Sequence, residues 1–293
     1  MWAHPPWVGR FLSPGNRGRQ LEEYARWCNA VEGNTTFYAA PSERTVAKWA
    51  AQAPADFRFA FKVPRHITHE LRLRGDAAIR ALDEFLTAID PLGERIGPIQ
   101  LQLPPSFGPE SLASLRSFVD RSALSHTRQS HSWSSHSWVV ELRHPGFFDG
   151  GAAQRAVDDL LGRAGLGRVV LDTRPLHAAL PRSDAAIEER RTKPRLPVVT
   201  DVMGPTPVIR VIGSDDHDGT LDGLRAWIPQ LVEWIDDGRE PYVFVHQPEN
   251  VESPALARMI HAEVAAVAEG LVPLPSPLPV APASEVTGQD SLF

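Results

Sequence analysis

The chain has 293 residues, of which 42% are hydrophobic and 23% are charged, and its formal net charge is −6. These values are typical of a globular protein, and the length suits one α/β barrel of about 250 residues. Its one cysteine, Cys28, excludes an internal disulfide and lies in a helical pattern, which favours a buried, inert thiol. Because no apolar run approaches ~18 residues and no signal segment opens the chain, we expect a cytoplasmic protein without membrane contact.

Strand-like and helical segments alternate along the chain, a pattern that predicts a parallel sheet with crossover helices. Helices are expected near residues 20–29, 42–52, 76–90, 109–120, 151–164, 221–236 and 253–268. Strands are expected near residues 30–34, 57–62, 98–103, 138–143, 168–172, 207–212 and 241–246. The sequence therefore predicts one domain over 1–270, with one strand fewer than the eight of a closed barrel of this type.

Polar residues at the ends of the first two strands draw attention to a site. Glu32 and Asn34 are two residues apart and share one face of a strand. In the second strand, alternation sends the phenylalanines at 57, 59 and 61 one way and Lys62 the other. Of the 30 basic residues only three are lysines, so a compact, titratable ammonium is favoured at Lys62 over a guanidinium.

The same segments carry a resemblance to a family. VEGNTTFYAAPS (31–42) and FRFAFKVPRHITH (57–69) resemble the motifs of the YecE-like proteins, the domain of unknown function seventy-two. The resemblance continues to about residue 268 through PIQLQLPPSF (98–107), VVELRHPGFF (139–148), PVIRVIG (207–213) and PYVFVHQP (241–248). It implies a TIM-type (β/α)8 barrel and no particular reaction. In the family the first strand lies just before Trp2, so we expect that strand to be short or missing, from a stub or an upstream start.

The carboxyl ends of the strands are where barrel enzymes carry their catalytic groups, and alternation sends most of the polar residues there into the lumen. The catalytic candidates are Glu32 and Glu141 as general acid or base, and Lys62 to hold an anion or stabilise charge. The substrate-binding candidates are Asn34, His69, Gln102, Arg143, His144, Asp172, Arg210 and His246. Three carboxylates face three cations, so an ion-pair network with a purely structural role is the alternative.

The loops after the second and fifth strands, 65–74 and 173–207, are basic although the chain is acidic, which indicates an anionic ligand, either a small molecule or nucleic acid. A solvated rim paired with Glu188 and Glu189 explains them equally well. The histidine-rich segment 125–138 is interpreted as a solvated loop, and the aspartates of 213–220 as residues before a helix. No motif specifies a cofactor, so the cofactor is unknown, although several site residues are possible ligands of a divalent metal.

The segment 271–293 is rich in proline and predicts an extended, disordered tail. Its last residues, QDSLF, resemble the peptide by which bacterial replication and repair proteins bind the sliding clamp, with Gln289, Leu292 and Phe293 as the partner-binding residues. The sequence thus predicts an enzyme of hydrolase or lyase type, recruited to the clamp and acting in DNA metabolism on a phosphodiester or nucleotide-like substrate. A sugar-phosphate isomerase or aldolase with a Schiff base on Lys62, and a non-catalytic binding module, are the alternatives.

Overall fold

A computed structural model describes residues 2–122 and 136–277. Seven parallel strands lie in chain order, each paired with its neighbours in sequence. They are β1 Ala30–Gly33, β2 Arg58–Lys62, β3 Ile96–Gln102, β4 Trp138–Glu141, β5 Gly167–Asp172, β6 Val208–Ile212 and β7 Tyr242–His246. The sheet curls into a nearly closed, TIM-like barrel, which confirms the predicted fold class and the seven predicted strands.

Helices cover the outside of the barrel. They are α1 Gln20–Tyr24, α2 Glu43–Gln52, α3 Gly75–Ile89, α4 Leu112–Arg121, α5 Ala152–Ala164, α6 Arg174–Ala178, α7 Asp184–Thr192, α8 His217–Arg225, α9 Ile228–Asp236 and α10 Ser253–Ala265. The single helix expected near 221–236 is two helices, because Pro229 lies at the start of α9, where its missing N–H is tolerated. No helix in the described part of the chain is long and apolar enough to cross a membrane.

The barrel wall is open between β1 and β7, which are not hydrogen-bonded to each other. The described residues before Ala30 contribute no strand to the sheet, and a short 3₁₀ helix spans Pro5–Trp7. Trp7 Nε1 donates to the carbonyl oxygen of Asn250 at 2.8 Å, so this segment is tied to the loop that follows β7. The expectation that the first strand is short or missing is therefore confirmed.

Strand alternation separates an aromatic outer layer from a smaller barrel interior. Phe59 and Phe61 face outward, where both stack on Trp49 of α2 with ring centroids 6.0 and 5.9 Å apart. The interior cluster contains Ala60 of β2, Val139, Val169 and Val208, with Tyr242 and Phe244 of β7. Because Lys62 follows Ala60 by two residues, it continues the inward row at the carboxyl end of β2.

Candidate site at the mouth of the barrel

A buried arginine joins two carboxylates at the carboxyl ends of three strands. Arg210 of β6 lies with Nε 2.6 Å from Glu32 Oε1 of β1, and its Nη1 donates to Glu141 Oε2 of β4 at 2.8 Å. All three side chains are in phase with the inward rows of their strands, which is why a long arginine in β6 can reach both carboxylates across the lumen. Glu32 and Arg210 are each 4% exposed and Glu141 is fully buried, so the two ion pairs are shielded from water.

Three further side chains surround these carboxylates. Lys62 Nζ lies 3.4 Å from Glu32 Oε1. Arg143 Nε and Gln100 Nε2 each donate to Glu141, to Oε1 and Oε2 respectively, at 2.5 Å. Among the described residues, the inner cluster thus holds the cations of Lys62, Arg143 and Arg210 against two carboxylates, Glu32 and Glu141.

His246 completes the cluster from the last strand. Its Nε2 lies 3.4 Å from Glu32 Oε2 and 3.4 Å from an Arg210 amino nitrogen. Its side chain is 23% exposed and that of Arg143 is 19% exposed, so these two residues form the part of the cluster that meets solvent. Asn34, half-buried just after β1, lines a cavity together with Glu32 and His246.

Both carboxylates are held in their ionised form. Burial alone raises the pKa of Glu141, but Arg143, Arg210 and then Lys62 outweigh it and lower that pKa to about 2. Burial likewise raises the pKa of Glu32, and Arg210 and Lys62 reverse the effect, so that its pKa lies well below the usual range. Carboxylates of this kind hold cations in place and accept protons poorly near neutral pH.

The pKa values of Lys62 and His246 are both lowered, which favours the neutral form of each side chain. Burial and then the charge of Arg210 lower the pKa of Lys62 to about 8, although Glu32 opposes them. Burial lowers the pKa of His246 to about 4, so its ring is neutral at pH 7. Burial also opposes the charge of Arg210, but Glu32 and Glu141 raise its pKa above the ordinary value. Lys62 is therefore the member of the cluster that titrates nearest neutral pH.

Asp172 lies outside this cluster, contrary to its predicted place in the lumen. Its carboxylate accepts hydrogen bonds from Arg174 Nε at 2.9 Å and from Trp227 Nε1 at 2.8 Å, and Trp227 belongs to the outer helical layer. The cause is strand phase: Val169 and Leu171 occupy the inward row of β5, so Asp172 points outward. Asp172, one of the three carboxylates predicted at the mouth, therefore does not neutralise the cations there.

The other substrate-binding candidates occupy three different environments. His69 is near the cluster, where burial and then the charge of Arg143 lower its pKa, and its ring meets Phe37 edge-on at 5.1 Å. Gln102 is buried at the end of β3. Its neighbour in the same row, Gln100, was not predicted although it binds Glu141; alternation from Gln102 is the signal that identifies it. His144 lies in the loop after β4, where Nδ1 accepts from the Gly146 N–H.

Much of the predicted positive rim is neutralised by nearby acids. Arg191 pairs with Glu188 at 2.7 Å and Lys193 with Glu189 at 3.7 Å, as the solvated-rim alternative expects. Residues 173–207 also contain α6 and α7, which the long-loop interpretation missed. Arg72 and Arg74 of the 65–74 loop instead donate to the hydroxyls of Ser106 and Ser114, so part of the positive charge of the rim remains beside the inner cluster.

Among the described residues, no group of three or more His, Cys, Asp or Glu side chains is arranged to hold a metal ion. Asp215 of the 213–220 segment instead accepts a hydrogen bond from the Arg182 N–H at 2.8 Å. His126 and His131 of the histidine-rich segment lie outside the described residues, as do Gln289, Leu292 and Phe293 of the tail.

A cavity of about 560 Å³ follows the opening between β1 and β7. Its upper end is lined by Glu32, Asn34 and His246, and its walls include Tyr242 and Phe244. The ion-pair cluster is thus reached from the side through the open barrel wall as well as from the mouth.

Comparisons with known proteins identify the family of the chain. Residues 1–281 match the family model described as "Protein of unknown function DUF72". The chain is 39% identical over 259 residues to the UPF0759 protein YecE of Escherichia coli K12, which covers 88% of each chain, and 38% identical to that of strain O157:H7.

Two solved structures share the fold at low identity. A DUF72 family protein from Thermotoga maritima superposes with a TM-score of 0.62 at 20% identity, over 89% of this chain and 96% of that one. One from Enterococcus faecalis superposes with a TM-score of 0.57 at 17% identity, over 82% and 92%. Both support the barrel, and neither extends to a reaction.

Proposed function

The chain belongs to the DUF72 family, and from the chemistry of its own site we propose that it is an enzyme acting on an anionic substrate at the mouth of the barrel. The observation that carries the proposal is the charge imbalance of the inner cluster, in which, within the part of the chain that the structure describes, Lys62, Arg143 and Arg210 face two carboxylates, Glu32 and Glu141. Each cation has a carboxylate neighbour, but three positive charges on two carboxylates leave an excess that is costly to bury, and a bound anion lowers that cost. The favoured substrate is a phosphodiester or nucleotide-like molecule, cleaved by hydrolysis or elimination.

The geometry divides the roles within the cluster. Glu141, with a pKa of about 2 and hydrogen bonds to Gln100, Arg143 and Arg210, is proposed as an anchor for the cations. The sequence favoured Glu141 as a general acid or base. We assign that role to Lys62 instead, because a pKa of about 8 allows the amine of Lys62 to exchange a proton near neutral pH. Arg143 is more exposed than Arg210, so we propose that Arg143 is the first of these two arginines to contact the anion.

A second candidate function uses Lys62 as a nucleophile. A buried amine with a pKa lowered to about 8 is partly neutral at physiological pH, and a neutral amine adds to a carbonyl carbon with loss of water. In this case the substrate is a small anionic carbonyl compound such as a sugar phosphate, and the reaction is of the isomerase or aldolase type.

Borohydride separates the two candidates. Incubation of the full-length protein with phosphorylated aldoses and ketoses and borohydride should leave a reduced adduct on Lys62 if the Schiff base forms, as seen by peptide mass spectrometry. Turnover of phosphodiesters or nucleotides without any adduct supports the first candidate. Calorimetric binding of these anions without turnover of any of them would instead support a non-catalytic binding module.

Variants of lysine provide the control for activity. Lys62→Met keeps the aliphatic stem and removes the charge, so we expect activity to fall at least 100-fold, in the range of a lost acid–base group. Lys193→Met removes a surface lysine whose ammonium is 3.7 Å from Glu189, and activity should stay within twofold. Full activity of the folded Lys62→Met protein would refute the proposal for this site.

Recruitment to the sliding clamp is a separate proposal that rests on the sequence of the tail. Its first residues lie against the barrel, since Arg258 donates hydrogen bonds to the carbonyl oxygens of Leu274 and Pro275. The proline-rich stretch beyond them supplies a tether, and QDSLF supplies a glutamine and an apolar pair for two pockets of the clamp. Attachment to the clamp would bring the barrel to DNA, which favours a nucleotide-like substrate over a sugar phosphate.

A further inference from the structure

A second concentration of positive charge lies outside the barrel. A cavity of about 350 Å³ is formed between α2 and the segment around α1. Its basic side chains are Arg17, Arg44 and Lys48, and the indoles of Trp2 and Trp49 provide apolar wall. Within the described part of the chain, none of the residues that line this cavity is acidic. On a chain of net charge −6, this is a local field opposite in sign to that of the whole molecule.

The three cations have no carboxylate partner among residues 2–122 and 136–277. Other exposed arginines of the same region do have one: Arg19 lies 2.6 Å from Glu22, and Arg26 lies 3.2 Å from it. Arg44 and Lys48 are four residues apart on α2 and therefore share a helix face, where like charges disfavour each other by a few tenths of a kcal/mol. An anion between them relieves this repulsion.

The tryptophans indicate what else the ligand carries. Trp2 is half-buried and meets Trp49 edge-on with ring centroids 5.4 Å apart, while Trp49 is anchored from behind by Phe59 and Phe61. Rigid indole surface beside cations suits a flat ring attached to an anion. The volume is at the lower end of the range of about 300–1,000 Å³ for small-molecule sites, so the cavity has room for a small ligand.

We propose that this cavity binds a nucleotide, with the phosphate on Arg17, Arg44 and Lys48 and the base against the half-buried indole of Trp2, which the buried Trp49 supports. The nucleotide is either a free mononucleotide or the end of a single strand, because both present the same phosphate and ring. The site is independent of the barrel mouth: α2 packs on the outward side of β2, whereas Lys62 points inward from the same strand.

Fluorescence anisotropy with a labelled, 5′-phosphorylated single strand of roughly ten thymidines tests the site in the full-length protein. We expect Arg44→Gln/Lys48→Gln to weaken binding at least tenfold at low salt. The slope of log K against log salt should become shallower by about 1.4, from two lost phosphate contacts at ~0.7 each. Arg80→Gln/Arg116→Gln is the matched control, because it removes the same charge from exposed arginines of α3 and α4 and should change binding less than twofold.

Competition identifies the ligand. AMP should displace the labelled strand at lower concentration than inorganic phosphate does, because only AMP brings a ring to the indole of Trp2. If the unlabelled strand competes no better than AMP, the ligand is a mononucleotide, and if it competes better, the ligand is a strand end. Equal displacement by AMP and phosphate, equal loss in the two double variants, or no binding of the strand by the wild type would each overturn the proposal.

Discussion

Lys62 of β2 and Glu32 of the neighbouring strand β1 face each other at the mouth of the barrel, with Nζ 3.4 Å from Oε1, and the same oxygen lies 2.6 Å from Nε of Arg210. This contact usually raises the pKa of a lysine, yet that of Lys62 falls to about 8 because burial and the charge of Arg210 outweigh the carboxylate. The ammonium is thus kept close to its titration point by opposing contributions. A substitution of Glu32 or of Arg210 should therefore shift the pKa of Lys62.

We expect Glu32→Gln to lower the pKa of Lys62 further, by roughly 1 unit or more, because the amide removes the closest negative charge and leaves burial and Arg210. The measurement is the rate at which an amine acylating reagent modifies Lys62 as a function of pH, read by peptide mass spectrometry. Glu188→Gln, on the surface in α7, is the control and should leave the titration of Lys62 unchanged. A pKa that rises in Glu32→Gln would show that the lysine is not governed by this carboxylate.

Glu141 should be the most important member of the cluster for stability. Glu141→Gln leaves Arg210 and Arg143 without this buried partner, and breaking a buried ion pair in this way typically costs about 3–5 kcal/mol of the free energy of unfolding. Urea unfolding measures the loss. Glu188→Gln breaks an exposed pair and should cost less than about 1 kcal/mol. Similar losses in the two variants would contradict the assignment of Glu141 as the anchor of the site.

The pKa values also predict how stability depends on pH. The pKa of Glu141 is lowered from 4.5 to about 2 in the folded protein, and that of His246 from 6.5 to about 4. In both cases the unfolded chain binds more protons, so stability falls as the pH falls, between about 6.5 and 4 for His246 and between about 4.5 and 2 for Glu141. Lys62, lowered from 10.5 to about 8, makes stability rise as the pH rises through that interval.

Unfolding by urea at a series of pH values separates these contributions. In His246→Gln the decline between pH 6.5 and 4 should be shallower than in the wild type, whereas the decline below pH 4 should persist. In Lys62→Met the rise between pH 8 and 10.5 should be reduced. An unchanged profile in His246→Gln would mean that this histidine titrates equally in the folded and unfolded protein.

The sequence was sufficient for the parts of the fold that depend on local pattern. The alternation of the phenylalanines at 57, 59 and 61 placed Lys62 correctly, because a strand with one aromatic face has only one phase. The phase of β5 is not marked in this way. Apolar residues lie on both faces, Val169 and Leu171 on one and Val170 on the other, and Arg168 shares the face of Asp172, so the local pattern does not show which face points inward. The partner that holds Asp172 outside, Trp227, is 55 residues away.

Contacts between strands that are far apart in the sequence could likewise not be predicted from the local sequence pattern. Arg210 and Glu32 are 178 residues apart, and their pairing depends on the closure of the sheet, which brings β6 and β1 to the same lumen. The sequence could predict that polar side chains gather at the mouth, but not that two carboxylates would be shared among three cations. Because Asp172 lies outside the cluster, three cations face two carboxylates, and this excess of positive charge favours an anionic ligand.

The tail predicts clamp binding that depends on Leu292 and Phe293, because a short peptide gains most of its binding free energy from the few side chains that enter pockets. Ordering the tail costs entropy, so we expect a Kd of roughly micromolar order, measured by calorimetry with the sliding clamp of the same organism. Leu292→Ala/Phe293→Ala should abolish binding and leave the Tm of the barrel unchanged, whereas Val286→Ala/Thr287→Ala, a matched change in the same tail, should bind as the wild type does. If the Leu292→Ala/Phe293→Ala variant binds equally, or the wild type does not bind at tens of micromolar, the clamp is not the partner, and the argument for a nucleotide-like substrate over a sugar phosphate then loses its support from DNA metabolism.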